Sequence, residues 1–339
     1  MKAVGLYKYL PIEKEESLID VQVEKPTPTK RDILVKIKAV SINPVDVKVR
    51  APKDKEETEP RILGWDASGV VEEIGPDCTM FKPGDEVFYS GDLTRPGTYS
   101  EYHLVDERIV GLKPKSLNFA QSAALPLTSI TAWESLFDRL MIDVNNYEEN
   151  QTKSILIIGG AGGVGSIAIQ LAKMAGLQVI ATASREESKQ WVNKLGADYI
   201  INHHENFRTQ LQDHDIKGVE YILCLNETEQ HWQNMADIIF PQGRICSIVE
   251  MANPIDLTAL KNKSVTFVWE FMFTRSMYET PDIIKQHELL SKLSKLIDDG
   301  KVTTTLTETL RPINAETLRK AHKIVETGSM IGKIVVENE

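Results

Sequence analysis

Cysteine is scarce in this chain of 339 residues, which holds three: Cys78, Cys224 and Cys246. Their wide separation gives neither a C-x-x-C pair nor a disulfide ladder, so structural thiols are expected. Long apolar runs are missing as well. Nowhere do about eighteen apolar residues follow one another, as a membrane-spanning helix requires. The opening Met1-Lys-Ala-Val-Gly-Leu-Tyr-Lys8 places lysines where a signal peptide needs its apolar stretch. A cytoplasmic protein with no membrane partner is expected. Positive charge is also in short supply: Lys and Arg number 39 against 49 Asp and Glu, for a formal net charge of -10. No long basic stretch with interleaved aromatics offsets that balance, which repels a polyphosphate backbone and argues against nucleic acid as a partner. Repeats and low-complexity tracts are absent. What the length and 42% hydrophobic content do permit is two well-buried domains.

The most informative segment that is present runs from Ser154 to Lys173. Ile155 to Ile158 form a short apolar, largely β-branched run suited to a strand covered on both faces. Gly160, Gly162 and Gly165 then fit G-x-G-x-x-G, a pattern that gives each glycine a task. The first permits a tight turn, the second lets a pyrophosphate approach the backbone, and the third brings helix close to strand. Val164, Ile167, Ala168, Leu171, Ala172 and Ala175 follow at helical spacing, Gly176 stands where a C-terminal cap belongs, and Gln178 to Ala183 read as the next strand. The unit predicted is strand, glycine turn, helix, strand, which is a dinucleotide-binding turn. Helix amides from Gly163 and Val164 through Gly165 to Ser166 are expected to face the phosphates, because the first turn leaves N–H groups unpaired and partly positive.

The residues after the second strand bear on which dinucleotide fits. NAD-selective folds place an acidic side chain there for the ribose hydroxyls, whereas a 2′-phosphate needs hydroxyl and cationic partners. Ser184 and Arg185 occupy those positions here, and Lys189 follows one helical turn later. A guanidinium offers parallel donors to phosphate oxygens and an ammonium adds a point charge. NADPH is therefore favoured over NADH, with Glu186 and Glu187 as the contrary signal.

Along the rest of the chain, residues 1–125 read mostly as strands. Ile33 to Val40, Gly69 to Ile74 and Glu86 to Tyr89 are short apolar or alternating segments, and Lys82-Pro-Gly-Asp85 is a turn. Arg50 to Pro60, charged and carrying two prolines, reads as an exposed loop with no core to join. From Leu125 the pattern alternates helices with strands, which predicts a parallel sheet with crossover helices over 126–300. The strands fall near Tyr199–Asn202, Tyr221–Cys224, Arg244–Val249 and Val265–Phe271. A helix near Ile283–Ile297, a second helix at Ala315–Glu326 and a last strand at Gly332–Val336 complete the reading.

Several segments together resemble the medium-chain dehydrogenase/reductase superfamily, and within it the zinc-free quinone oxidoreductase-like branch, whose members often carry zinc-type alcohol dehydrogenase-like names. They are Ser41-Ile-Asn-Pro-Val-Asp46, Leu63-Gly-Trp-Asp-Ala-Ser-Gly-Val-Val71, Phe81-Lys-Pro-Gly-Asp-Glu-Val87, Ala123 to Trp133, the glycine turn, Leu195-Gly-Ala-Asp198 and Gly332-Lys-Ile-Val335. The resemblance implies an α/β protein: a Rossmann doubly wound parallel sheet over 126–300, plus a chaperonin-10-like β-rich catalytic domain over 1–125 completed by 301–339. It also implies an edge strand at Val265–Phe271 able to pair across a homodimer.

Relatives that oxidise alcohols hold a catalytic zinc through a cysteine, a histidine and a third ligand. The resemblance sets Asn43, Trp65 and Leu127 at those three positions, and no ligand survives; an indole nitrogen has no lone pair to give. His203-His-Glu205 is the only other cluster that invites a metal, and adjacent histidines point different ways. No metal site is expected. Without a Lewis acid to stabilise an alkoxide, alcohol oxidation is disfavoured, whereas hydride addition to a quinone or an α,β-unsaturated carbonyl needs only orientation and hydrogen bonds.

The resemblance assigns Asn43 as an amide donor to the substrate oxygen, Asp46 as an organiser of its surroundings, and Trp65 and Asp66 as neighbouring wall residues. It sets Thr128 and Thr131 at the nicotinamide end, His203 beside the adenosine phosphate, and Ser247 and Lys333 among the coenzyme contacts. The expectation is an NADPH-dependent reductase of quinones or enones. The alternatives are an alcohol dehydrogenase of the zinc-type family and a non-catalytic NADPH-binding protein.

Overall fold

The computed structural model describes residues 1–338. The chain is α/β and divides into two compact units, one of Met1–Ile130 with the chain from Phe273 onward, the other of Thr131–Met272. Among the described residues no helix is long and apolar enough to cross a membrane.

The second unit is built on a six-stranded sheet. Its strands lie in the spatial order Tyr199–Ile201, Gln178–Thr182, Ser154–Ile158, Val219–Cys224, Ile239–Ser247, Thr266–Trp269, and every neighbouring pair is parallel. Numbered along the chain this is 3-2-1-4-5-6, the order of a dinucleotide-binding sheet, with its topological switch beside Ser154–Ile158. That strand is central because Ile155, Leu156, Ile157 and Ile158 are all buried and have an apolar layer on each face to enter. Leu156, Ile158, Ile180, Phe207, Ile222, Met235 and Ile245 belong to one core cluster, and truncating any of the large ones to alanine costs roughly 2–5 kcal/mol. Helix Gly163–Met174 buries Ile167, Ala168, Leu171 and Ala172. The chain after it turns at Gly176, whose φ of +98° suits glycine. Thr266–Trp269 is an edge strand, with Trp269 and the following Phe271 exposed.

The first unit contains a seven-stranded sheet. Asp32–Ser41 lies near its middle and pairs antiparallel with Asp66–Ile74, with Tyr102–Asp106 and, from the far end of the chain, with Lys333–Glu337. Val335 stands opposite Ser41 and Val336 opposite Val40, so two segments almost 300 residues apart share one ladder. A separate three-stranded sheet holds Ile19–Gln22, Lys2–Tyr9 and Lys53–Ile62.

Two expectations are corrected. The charged stretch read as a loop is for the most part a strand, Lys53–Ile62, paired antiparallel with Lys2–Tyr9. An edge strand needs only one hydrogen-bonded neighbour and no buried face, so its sequence carries no alternation to detect. Charge anchors it locally: Lys53 Nζ lies 4.0 Å from the centre of the Tyr9 ring. The return to the first unit also comes at Phe273, earlier than residue 301. Helix Lys285–Asp298 packs there, His287 Nδ1 lies 2.6 Å from the Val110 carbonyl, and Leu290 leaves no room for a side chain at Gly111.

Candidate functional site

In the second unit the glycine turn closes the central strand. The residue with left-handed backbone is Gly159, φ +84°, one position before the glycine to which the motif gives that task. Gly160 instead yields space to the neighbouring strand and helix, because a Cβ there would come within 2.9 Å of the Ala181 Cβ and 3.3 Å of Val192. Gly165 lies against the turn itself, and an added Cβ would stand 2.4 Å from the Gly159 carbonyl oxygen. Gly162 differs from both: a Cβ there would meet only one atom, at 3.5 Å. Packing within the chain gives no reason for glycine at Gly162, whereas a diphosphate resting on the backbone gives one. Gly163 and Val164 open the helix, so their amides lack intrahelical acceptors. Thr182, which sequence reasoning missed, braces the turn by accepting the Gly159 N–H at 3.0 Å. Trp191 Nε1 does likewise through Ser166 Oγ at 2.8 Å.

At the end of the second strand Ser184 is half-buried and Arg185 and Lys189 are exposed. Arg185 caps helix Glu186–Lys194, its backbone N–H bonded to Ser188 Oγ at 3.1 Å. Glu186 is engaged by Gln190 at 3.0 Å. His203 is half-buried, its ring 4.2 Å from that of His204 and 6.4 Å from that of buried His231. Burial first, and then a neighbouring imidazole, His204 for His203 and His203 for His231, hold both below the ordinary histidine range. Ser247 is buried, and its hydroxyl lies 2.5 Å from Thr228 Oγ1.

In the first unit a buried polar cluster forms around helix Pro44–Arg50. Asn43 is its N-cap, Pro44 its first residue, and Asp46 reaches back to accept the Asn43 N–H at 2.7 Å. Asp66, at the start of strand Asp66–Ile74, accepts from Leu127 N–H at 2.7 Å and Asn43 Nδ2 at 2.8 Å. Lys333 enters from the last strand and donates to Asn43 Oδ1 at 2.6 Å and the Ile42 carbonyl at 2.7 Å, with Asp66 Oδ2 at 3.8 Å. Its ammonium thus belongs to this carboxylate cluster. Tyr99 steadies the Asp46 charge, and its hydroxyl lies 3.0 Å from Nε2 of buried His322.

Burial sets the electrostatics. It pushes Asp46 up to about 7, assisted by the nearby Asp66 charge and opposed by the Asn43 N–H and Lys333. Asp66 rises to about 6 for the same first reason. The Lys333 ammonium is pulled down by desolvation, against the pull of the two aspartates. His322 falls to about 3.

Both ends of the Asn43 amide are taken, since Nδ2 also lies 3.5 Å from the Ser41 carbonyl. Direct donation to a substrate is not open to it in this arrangement. Trp65 is likewise committed, its Nε1 donating to the Asp92 carbonyl at 3.0 Å and its ring edge-on to Phe273 at 6.1 Å. Thr128 turns its hydroxyl back onto its own helix, to the Leu125 carbonyl at 3.0 Å, and Thr131 is buried.

The three positions compared above with zinc ligands therefore offer a saturated amide, an indole already donating and a leucine, beside an ammonium. That donor set does not fit zinc. Among the described residues no group of three His, Cys, Asp or Glu is placed to hold a metal ion. Cys224 and Cys246 are buried, with burial raising their thiols to about 11 and about 12.

Comparison with known proteins agrees with this architecture. Residues 29–115 match the model of the alcohol dehydrogenase GroES-like domain and 195–336 that of zinc-binding dehydrogenases. A zinc-type alcohol dehydrogenase-like protein of Staphylococcus aureus (strain MSSA476) is 46% identical over 99% of both chains. The 2-methylene-furan-3-one reductase of Solanum lycopersicum is 30% identical, over 98% of this chain and 76% of its own. Among solved structures, a protein of Rhizobium etli CFN 42 named after zinc-dependent alcohol dehydrogenases superposes with a TM-score of 0.94 and 49% identity, over 100% of this chain and 98% of its own. The quinone oxidoreductase of Coxiella burnetii gives 0.81 and 28%, over 100% and 99%. With a dinucleotide sheet, a GroES-like partner unit and near full-length identity to such relatives, the chain belongs to the medium-chain dehydrogenase/reductase superfamily of oxidoreductases.

Proposed function

We propose that the protein is an NADPH-dependent reductase that delivers hydride to a quinone or an α,β-unsaturated carbonyl without zinc. The observation that carries this reading is that Asn43, Trp65 and Leu127 stand at the positions where alcohol-oxidising relatives need metal ligands, with the Asn43 amide saturated by Asp66 and Lys333 and the Trp65 indole already donating. A conjugated acceptor is already polarised and asks for no Lewis acid, whereas alkoxide formation does. The reductase name of the tomato relative and the quinone oxidoreductase name of the Coxiella structure support the same acceptor class.

When bound, NADPH supplies the hydride. The chain's own part is positioning. Gly162 leaves its backbone open to the diphosphate, the first-turn amides of Gly163 and Val164 donate to it, and Arg185 and Lys189 offer cationic donors to the 2′-phosphate with Ser184 beside them. Asn43, Asp46, Asp66 and Lys333 act as positioning residues: together they fix the start of helix Pro44–Arg50 against strands from both ends of the chain.

The decisive experiment follows NADPH oxidation by the purified protein against a panel of quinones and enals, with zinc content measured on the same sample. Turnover with substoichiometric zinc is expected. Coenzyme binding without oxidation by any acceptor would turn the reading toward a binding protein, and stoichiometric zinc that resists mild chelation would turn it toward an alcohol dehydrogenase. Arg185→Ala should weaken NADPH roughly 10- to 100-fold, the value of a hydrogen bond to a charged group, and leave NADH affinity unchanged.

A further inference from the structure

The second unit holds a pair of buried acids that nothing above uses. Glu134 opens a π-helical turn, Glu134–Arg139, in which the Leu140 N–H donates to the Ser135 carbonyl five residues back. Such turns are rare and frequently mark functional sites. Glu270 is the first residue past the edge strand Thr266–Trp269, and its N–H donates to the carbonyl of Ser247, the last residue of the neighbouring strand. Both side chains are buried. Each buried carboxyl raises the cost of charging the other, and two acids with one cation between them favour keeping a proton on the pair. One cation serves the pair: Arg139 donates through Nε to Glu270 Oε2 at 2.7 Å, while its Nη2 is 3.9 Å from Glu134 Oε2. The other titratable groups facing the pair are the Cys246 thiol, with Cys224 behind it, both kept neutral by burial.

Their place in the sheet gives the pair a partner. A dinucleotide fold has two mononucleotide halves, and ligands lie outside the carboxyl ends of the strands. The glycine turn and Arg185 belong to the half built from Ser154–Ile158, Gln178–Thr182 and Tyr199–Ile201, which leaves Val219–Cys224, Ile239–Ser247 and Thr266–Trp269 for the nicotinamide half. Ser247 and Glu270 stand at the carboxyl ends of two of those strands. The oxidised nicotinamide ring carries a positive charge and the reduced ring none. A carboxyl pair that keeps one proton beside a neutral ring is stabilised by losing it beside a cationic one.

We infer that Glu134 and Glu270 work as one acid that holds a single proton when the reduced coenzyme is bound and gives it up when the oxidised coenzyme takes its place. The inference rests on the coenzyme reading above and adds residues that set the preference between redox forms. No bond of the coenzyme changes: the step is loss of one proton to solvent as the pyridinium binds. Burial and the neighbouring carboxyl raise Glu270 to about 8, so at neutral pH the proton is present to be released. Linkage then makes affinity for the oxidised form rise by up to tenfold per pH unit relative to the reduced form while the pair still holds its proton.

The test is titration calorimetry of the full chain with NADP⁺ and with NADPH at pH 7, in two buffers of different ionisation heat. Proton uptake or release by the 2′-phosphate is common to both ligands and cancels in the difference. More proton release with NADP⁺ than with NADPH, approaching one proton, is expected. Glu270→Gln and, separately, Glu134→Gln should abolish the difference while both ligands still bind. Binding of both forms with equal proton release by the unmodified protein overturns the inference alone, as does a difference that survives in both variants. Heat from neither ligand instead overturns the coenzyme reading, and the inference with it.

Discussion

Asp46 and Asp66 of the first unit each accept a backbone N–H, from Asn43 and Leu127, and share a lysine that is 2% exposed. Glu270 of the second unit shares with Glu134 an arginine whose side chain is 28% exposed, and Glu270 Oε1 has no hydrogen-bond donor. The two clusters hold the same count of acids and cations; burial lifts Asp46 and Asp66 to about 7 and about 6, and burial with the neighbouring carboxyl lifts Glu270 to about 8. Backbone donors and a fully enclosed cation make ionised carboxylates tolerable, whereas a pair lacking them relieves its charge by keeping a proton.

The hardest test of that contrast removes each cation. Lys333→Met should cost about 3–5 kcal/mol, because it strands buried carboxylate charge, and Arg139→Met less than half as much, because its acids can stay protonated. Urea denaturation at pH 8 measures both, and equal losses would break the comparison.

Next comes the dependence on pH. A carboxyl whose folded pKa is raised contributes stability that is fully present below its unfolded pKa and is lost as pH rises through the folded value. For Asp46 that window runs from its ordinary value of 3.8 to about 7. Asp46→Asn should therefore lack a loss of about 2–4 kcal/mol that the parent suffers between pH 4 and pH 8, at about 1.4 kcal/mol per pKa unit. Thermal unfolding across that range reads it, and parallel profiles would show that Asp46 does not titrate there.

Neutralising one acid of each cluster sharpens the contrast further. Asp66→Asn leaves the Lys333 charge less compensated and should cost about 1–3 kcal/mol at pH 7. Glu270→Gln replaces an acid that is already mostly neutral with an amide of like shape, so its effect on the midpoint at pH 7 should be within about 0.5 kcal/mol.

What was legible in the sequence was local. The glycine turn could be read because strand, turn and helix sit in contiguous residues with apolar spacing. Which of two adjacent glycines takes the left-handed backbone could not, since that depends on how Gly160 fits against Ala181 and Val192. Helix Ala315–Glu326 was read with its observed bounds, its spacing being strongly amphipathic. The helix Lys285–Asp298 was legible as a helix, but periodicity does not say which sheet it covers. Lys333 could not be placed, because its partners Ile42 and Asn43 lie some 290 residues away in sequence and meet it only through the strand pairing of Lys333–Glu337 with Asp32–Ser41. Ser247 and Thr128 had the right residue type for ligand contact, but their hydroxyls are spent inside the protein.

The strand Lys53–Ile62 has one side of its backbone zipped to Lys2–Tyr9 and the other open to water, a rim onto which a stranger's chain could add. Lys53, Asp54, Lys55, Glu56, Glu57, Glu59 and Arg61 crowd that rim with charge, and Pro60 withholds one N–H from any newcomer. Residues that contribute little to the interior thus guard against fibrous growth in concentrated solution. Rewriting Glu56 and Glu59 as valine would leave the fold intact and turn this rim adhesive.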